Sequence, residues 1–265
     1  MLKYYKKWRI KGAAMGAPGK KSTARLLPVL LLILTLLAVG SSFCFWLAWG
    51  DTVDIMLQAG DISTVGPALV KDLEGRRIDY VPLEKMPKHL IQAIIAMEDA
   101  RFFDHKGVDF LGIARAMVVN LHSGKVLQGG STITQQLAKN LYLDHSRTIQ
   151  RKLLETRIAL ALEKKFSKEL ILEMYLNQIY FGEGNYGIGR AAAHYFNKEV
   201  ADLSLGEAAA LVGIVQAPNA YSPSAAGWEA VFARQKLVLQ RMIELEMVTE
   251  EEAREATLLA LEYHP

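Results

Sequence analysis

The stretch P-K-H-L-I-Q-A-I-I-A-M-E-D-A-R-F-F-D-H-K-G, Pro87 to Gly107, sets the reading of the whole chain. Proline is tolerated where a helix begins, because the amide hydrogen it lacks would have no partner there. Ile91, Ile94 and Ile95 recur at helical spacing, and Glu98 falls seven positions after Ile91 on the same stripe. A carboxylate thereby lies on an apolar face. Burial disfavours its charged form and raises its pKa towards neutrality, the state a general acid or base requires. The alternative is a frayed helix end with a solvated carboxylate, and helix geometry alone leaves both readings open.

Outward from this stretch the pattern is helical nearly to the C-terminus. Phe110, Ala114, Met117, Val118 and Leu121 predict a second amphipathic helix closed by Ser123-Gly124. Gln128-Gly-Gly-Ser-Thr-Ile-Thr opens a third, with Ser131 or Thr132 as cap and Ile133, Leu137 and Leu141 on one side. Arg147 to Phe166 form a fourth, whose I-A-L-A-L run, apolar nearly all round, predicts a central buried position. Ser167 restarts the chain into K-E-L-I-L-E-M-Y-L-N. Ser204-Leu-Gly-Glu207 and Thr249-Glu-Glu-Glu252 are capping boxes, and between them Trp228 to Met247 reads as one long helix with Arg234, Leu237, Val238 and Arg241 at helical spacing. On the other side, residues 51 to 86 read as a connector and a small extended region, with a turn at Glu74-Gly75 and strand-like I-D-Y-V-P-L stopped by Pro82. The fold class is mainly α, with that minor extended part near its start and one N-terminal transmembrane helix.

The transmembrane helix follows from 25 consecutive uncharged residues, Leu26 to Gly50, with Trp46 and Trp49 near one end. Eight of the 31 Lys and Arg residues lie in positions 1 to 25 with no acidic residue among them, so this flank stays cytoplasmic and everything after Asp51 is expected outside. A cleaved signal peptide is the alternative, but the apolar run exceeds the usual 7 to 15 residues and no clean A-x-A site follows. Without the basic tail the chain is net acidic, which argues against nucleic acid as the main partner. Cys44, the only cysteine, falls within the apolar run, so the outer part can form no internal disulfide or thiolate metal site.

Polar residues with chemical potential concentrate between positions 98 and 155. Gly129-Gly130 before Ser131-Thr132 and a helix makes a loop whose backbone N–H groups and hydroxyls could hold an anion. Gln136 shares a helix face with Lys139 or Asn140; Arg151 and Glu155, four apart, are neighbours, with Lys152 beside them. Lys139, Arg151 and Lys152 together could balance a diphosphate. Equally, Arg151 and Glu155 could be an ordinary surface pair worth a few tenths of a kcal/mol. Other chemistries fail on their motifs: there is no S-x-x-K, no G-x-S-x-G, no H-E-x-x-H, and the six histidines show no ligand spacing. His105 reads as a structural hydrogen-bonding residue beside Glu98. Gly182, Gly184 and Gly187 form a formal G-x-G-x-x-G, but it follows a helix rather than a strand and reads as a conformationally special loop. Two glutamates with a cationic anion site point to glycosyl chemistry with a phosphate leaving group.

E-D-A-R-F-F-D-H-K-G (98–107), G-G-S-T-I-T-Q-Q-L-A-K-N (129–140), R-K-L-L-E (151–155), K-E-L-I-L-E-M-Y-L-N (168–177) and R-Q-K-L-V-L-Q-R-M (234–242), in this order, resemble the five motifs of the peptidoglycan glycosyltransferases, glycosyltransferase family 51. The resemblance covers roughly Val81 to Met247 and implies a lysozyme-like helical fold that polymerises lipid II at the outer face of the bacterial cytoplasmic membrane. Without S-x-x-K or a second large domain, the chain is similar to the monofunctional transglycosylases rather than to bifunctional class A penicillin-binding proteins. The organisation expected is a basic tail (1–25), a single-pass anchor (26–50), a connector (51–80), a glycosyltransferase domain (81–250) and a C-terminal helix or tail (251–265).

The resemblance makes Glu98 the general base that takes the proton from the acceptor's GlcNAc 4-hydroxyl, and Glu155 the second glutamate, assisting the leaving diphosphate directly or through a divalent cation, Mg or Mn. Ser131, Thr132, Gln136, Lys139, Asn140, Arg151 and Lys152 match positions that contact the donor's diphosphate and sugars. Asp99, Phe102 and His105 are expected to shape the first motif, and Glu173 and Asn177 to hold helices together. No tightly bound cofactor is implied; the partners implied are lipid II, the growing glycan strand and the membrane, with transpeptidases or other cell wall synthases as further candidates. A lysozyme-like hydrolase and a catalytically silent scaffold are the competing classes.

Overall fold

Lys88 to Glu98 form α1, and Pro87 sits at its N-cap as the sequence predicts. The structure, a computed structural model, describes residues 35–36, 39–41, 80–125, 129–143 and 148–258. The chain divides into two units, Met1–Asp51 and Thr52–Pro265. In the first, residues 35–36 and 39–41 are helical; the rest of the expected anchor lies outside the described residues, as do the basic tail and connector residues 51–79. Among the described residues no helix is long and apolar enough to cross a membrane.

The second unit continues with α2 (Phe110–Ser123), α3 (Ile133–Tyr142), α4 (Ile149–Lys165), α5 (Lys168–Gln178), α6 (Ile188–Phe196), α7 (Leu205–Val215), α8 (Pro218–Tyr221), α9 (Pro223–Glu244) and α10 (Glu250–Leu258). Among the described residues there is no strand, only an isolated antiparallel bridge between Tyr180 and Tyr186. Local signals decide most boundaries. Thr132, Thr148, Ser167 and Ser204 each accept the backbone N–H three residues on, and Thr249 and Glu252 close the last capping box. Of the two candidate caps for α3, Thr132 is the one used.

Three features depart from the sequence reading. The central helix is α7, whose residues Gly206 to Ile214 are all buried; α4 buries Glu155 to Ala159 and Leu162 but leaves Leu160 and Ala161 partly open. Small residues make this possible: a Cβ on Gly206 would lie 2.5 Å from the Ala256 carbonyl oxygen, and one on Gly213 2.9 Å from the Arg234 Cβ. Helix α7 packs on α1, α9 and α10, and α3 packs on α4 and α5. Second, the apolar stripe of α2 faces outward. Phe110, Leu111, Met117, Val118 and Leu121 are exposed, up to 74% at Leu121, and only Ala116 is buried. Third, the expected helix from Trp228 to Met247 ends at Glu244, and Gly227 (φ 75°) separates it from a preceding turn that begins at Pro223.

Candidate active site

The site starts where α1 stops. After Glu98 the chain turns at Asp99, whose buried carboxylate accepts from the Ile133 N–H at 3.1 Å and from His105 Nε2 at 2.9 Å. Asp99 thus meets an amide in the first turn of α3, where the helix dipole favours a negative charge. One consequence is positional: α3 is docked against the end of α1, which brings Gln136 to Glu98. Gln136 Nε2 donates to Glu98 Oε2 at 2.7 Å, and the Tyr175 hydroxyl donates to Gln136 Oε1 at 3.1 Å. Burial holds the Tyr175 pKa well above that of a free phenol, so it remains a donor. The tyrosine therefore fixes the amide with its NH2 group towards Glu98.

Burial raises the Glu98 pKa above the ordinary carboxylate value. The hydrogen bond from Gln136 and the charges of Lys139 and Arg234 oppose that shift, while Asp99 adds to it. His105 bonds to Asp99 rather than lying against Glu98, so its effect on the base passes through Asp99.

The remaining expected site residues fall into a second group. Lys152 Nζ donates to Ser131 Oγ at 2.8 Å and ion-pairs with Glu155, while Arg151 lies 3.6 Å from the other Glu155 oxygen. Glu155 is only 3% exposed, whereas Arg151 keeps a buried Nε with no hydrogen-bond partner. Thr132 is also buried, its hydroxyl committed to the α3 cap and to the Gly107 carbonyl at 2.7 Å. Asn140 is exposed at the far end of α3.

Glu98 opens into a cleft of about 390 Å³ lined by Asp99, Ser131, Thr132, Arg115, Arg234 and Arg241 among others. Ser131 joins the two groups, since it lines the cleft and bonds Lys152. Gln136, Lys139, Asn140, Arg151, Lys152 and Glu155 lie outside the lining of that cleft. Arg234 and Tyr175 are the functional candidates that sequence reasoning passed over. Their signal was their place inside the fourth and fifth motifs, but nothing in the spacing says that either reaches the Glu98 neighbourhood.

Motif four contributes Glu173 and Asn177. Glu173 accepts from the Tyr80 hydroxyl and from the Leu83 N–H, and Asn177 exchanges two 2.9 Å bonds with the Val81 backbone. These side chains pin the incoming segment, including the short 3-10 helix Leu83–Lys85, to α5.

Residues 67–243 match the family model described as Transglycosylase. The chain belongs to the transglycosylase family. This agrees with the five motifs, which resemble the peptidoglycan glycosyltransferases of family 51. Penicillin-binding protein 1A of Aquifex aeolicus is 48% identical over 67% of the transglycosylase chain and 24% of its own length; that of Vibrio cholerae is 44% identical over 80% and 26%. The chain thus spans about a quarter of these curated relatives. A crystal structure of penicillin-binding protein 1A from Haemophilus influenzae aligns with 70% of this chain and 18% of its own at 23% identity, with a TM-score of 0.42.

Proposed function

We propose that this transglycosylase polymerises lipid II into glycan strands, with Glu98 as general base. The observation that carries the reading is the Glu98 carboxylate itself: buried enough to raise its pKa, held by Gln136, and open to a cleft large enough for sugar rings. The acceptor's GlcNAc O4 loses its proton to Glu98 and forms a bond to the donor's MurNAc C1. The bond from C1 to the diphosphate oxygen breaks with inversion, and undecaprenyl diphosphate departs. Negative charge then grows on the leaving group. Lys139, Arg151 and Lys152 are the cations assigned to it, and the unpartnered buried Arg151 Nε is a donor that a phosphate oxygen would satisfy. Ser131, bonded to Lys152 and facing the cleft, joins the acceptor and donor sides. Thr132, with its hydroxyl committed, supports the loop, and Asn140 at the exposed end of α3 is assigned to donor sugar contacts.

Glu155 keeps Lys152 and Arg151 in place and receives no proton in this scheme. The described residues hold no cluster of three or more His, Cys, Asp or Glu suited to a metal. A Mg or Mn ion, if one takes part, would accompany the substrate diphosphate, and no step here depends on it.

A lipid substrate requires a membrane address. The uncharged run 26–50 behind a basic tail, and the outward apolar face of α2, both support a single-pass protein of the bacterial cytoplasmic membrane with its N-terminus inside and this domain outside. The growing glycan strand is then the second ligand, and transpeptidases or other cell wall synthases are the partner class.

Purified protein incubated with lipid II, with and without Mg or Mn, followed by sizing of the product, tests the reading. Long uncrosslinked glycan is expected. No polymer, or only shortened chains from added glycan as a hydrolase would give, would overturn it.

A further inference from the structure

The glycine-rich loop that follows α5 has no part in the chemistry above, yet it is among the most constrained pieces of the described chain. Gly182, Glu183, Gly184 and Gly187 all have positive φ, Glu183 at 52°. Glycine takes that conformation freely, whereas in a glutamate the Cβ crowds the backbone and the conformation is strained. The loop holds its shape through Phe181 N–H to Asn185 O at 2.8 Å, Gly187 N–H to Ile179 O at 2.9 Å, and the buried Asn185 amide donating to Gly182 O at 3.1 Å. Something must fix a glutamate at the strained position.

Its carboxylate supplies the answer. Glu183 Oε1 accepts from the Ser224 N–H at 2.8 Å, and Oε2 meets His194 Nε2 at 2.8 Å. Burial alone would raise the Glu183 pKa, but these hydrogen bonds outweigh it and hold the group below the usual carboxylate value. Ser222, the N-cap of α9, makes no side-chain cap bond of its own. Glu183 therefore caps that turn from 41 positions away. Gly182 lies flat on the same segment: a Cβ there would meet the Pro218 oxygen and the Ser222 Cβ, both at 3.0 Å.

The clamped segment leads to the cleft. Tyr221, on α8, places its ring 4.9 Å from the Arg234 guanidinium carbon, while Gln216 Oε1 and the Gly213 carbonyl accept from the same side chain. All three partners are uncharged, and Arg234 lines the cleft with Glu98. We propose that the Gly182–Gly187 loop is a positioning device: Glu183 clamps the segment from Pro218 to Ser224, and Tyr221 on that segment fixes Arg234 in the Glu98 cleft. Glu183 touches no reacting atom, and its role in catalysis rests on the proposed use of that cleft.

The test is a double-mutant cycle on the full chain in detergent with lipid II. Glu183→Ala lowers kcat/KM about tenfold in the wild-type background and less than about twofold when Arg234 is already alanine, because coupled residues are non-additive. Glu183→Gln, whose amide oxygen can still accept from Ser224, stays within about threefold of wild type. Equal losses in both backgrounds, or equal damage from Gln and Ala, overturn the proposal. A second readout needs no activity: the Arg234 Nε–H NMR resonance, displaced by the Tyr221 ring, moves towards the position of an exposed arginine in Glu183→Ala and in Tyr221→Leu alike. An unmoved resonance in a folded Glu183→Ala protein sinks the loop's role; should that variant not fold, an unmoved resonance in Tyr221→Leu does so. If the wild-type protein makes no glycan, the functional reading fails while this resonance still decides the positioning claim.

Discussion

Two cationic flanks of the domain, one on α4 and one on α9, are built on opposite plans. On one, Lys152 and Arg151 sit on α4 a turn from Glu155 and meet its carboxylate, so their charge is largely answered before any substrate arrives. On the other, Arg234 is held among the described residues by a carbonyl, an amide oxygen and an aromatic ring, and its positive charge reaches Glu98. A preorganised but neutralised cluster suits a group whose charge grows during reaction, since the attraction strengthens as the leaving diphosphate develops. The Arg234 charge, like that of Lys139, instead lowers the Glu98 pKa against the larger effect of burial. Under the proposed function, the α4 flank serves the leaving group, and the α9 flank, together with Lys139, tunes the base.

Removing the Glu98 carboxylate has the largest expected effect. Glu98→Gln lowers glycan polymerisation by at least about 10²-fold, since an amide cannot take the proton. Stability moves the other way. A folded-state pKa above the unfolded one means that ionising Glu98 costs stability as pH rises past the unfolded value. At neutral pH the Gln variant is therefore expected to melt at the same temperature or higher, while its oxygen still accepts from Gln136. A lower melting temperature would show that the loss of activity is structural.

Arg151→Ala is next and probes the α4 flank. It removes the unpartnered Nε along with one of the two cations on Glu155, and donor use is expected to fall about tenfold, read as kcat/KM with the acceptor held saturating. Unchanged donor kinetics would remove Arg151 from the diphosphate site. Gly213→Ala probes the α9 flank without touching a charge. The new methyl lands 2.9 Å from the Arg234 Cβ, so an overpacking loss of about 1–3 kcal/mol is expected, with a fall in kcat/KM larger than the same stability loss produces elsewhere in the core.

The smallest effect on stability is expected at α2. Val118→Ser with Leu121→Ser changes side chains that are 66% and 74% exposed, so stability changes by less than about 0.5 kcal/mol while partition onto liposomes drops. Unchanged partition would leave the apolar face without a membrane role.

That face also shows where the sequence stopped being legible. Its periodicity announced an amphipathic helix with the right ends, Phe110 and the left-handed Gly124. A stripe of apolar residues does not say whether protein or lipid covers it. The capping boxes at Ser204 and Thr249 were readable because they act within four residues, and the α3 cap was narrowed to Ser131 or Thr132. What joins distant segments was not: Asp99 meeting α3, Tyr175 orienting Gln136, and Glu183 capping a turn 41 positions on. The buried run of α7 escaped for another reason: a helix covered on all sides shows no amphipathic stripe from which to read its place. Motif order singled out Glu98 and Glu155 as candidates through the family resemblance, whereas the burial that raises one pKa and the ion pairs that surround the other came only with the fold.

The central claim is that Glu98 acts as a base with a burial-raised pKa. The pH dependence of lipid II polymerisation, measured as kcat/KM for the wild-type protein, tests it directly. A base works only when deprotonated, so activity is present above its pKa and lost as pH falls through it. The account predicts an acid limb with its midpoint above the ordinary glutamate value of about 4.3, and a further upward shift of that midpoint in Arg234→Ala. An acid limb at or below that ordinary value, or one that Glu98→Gln retains at full amplitude, would contradict it.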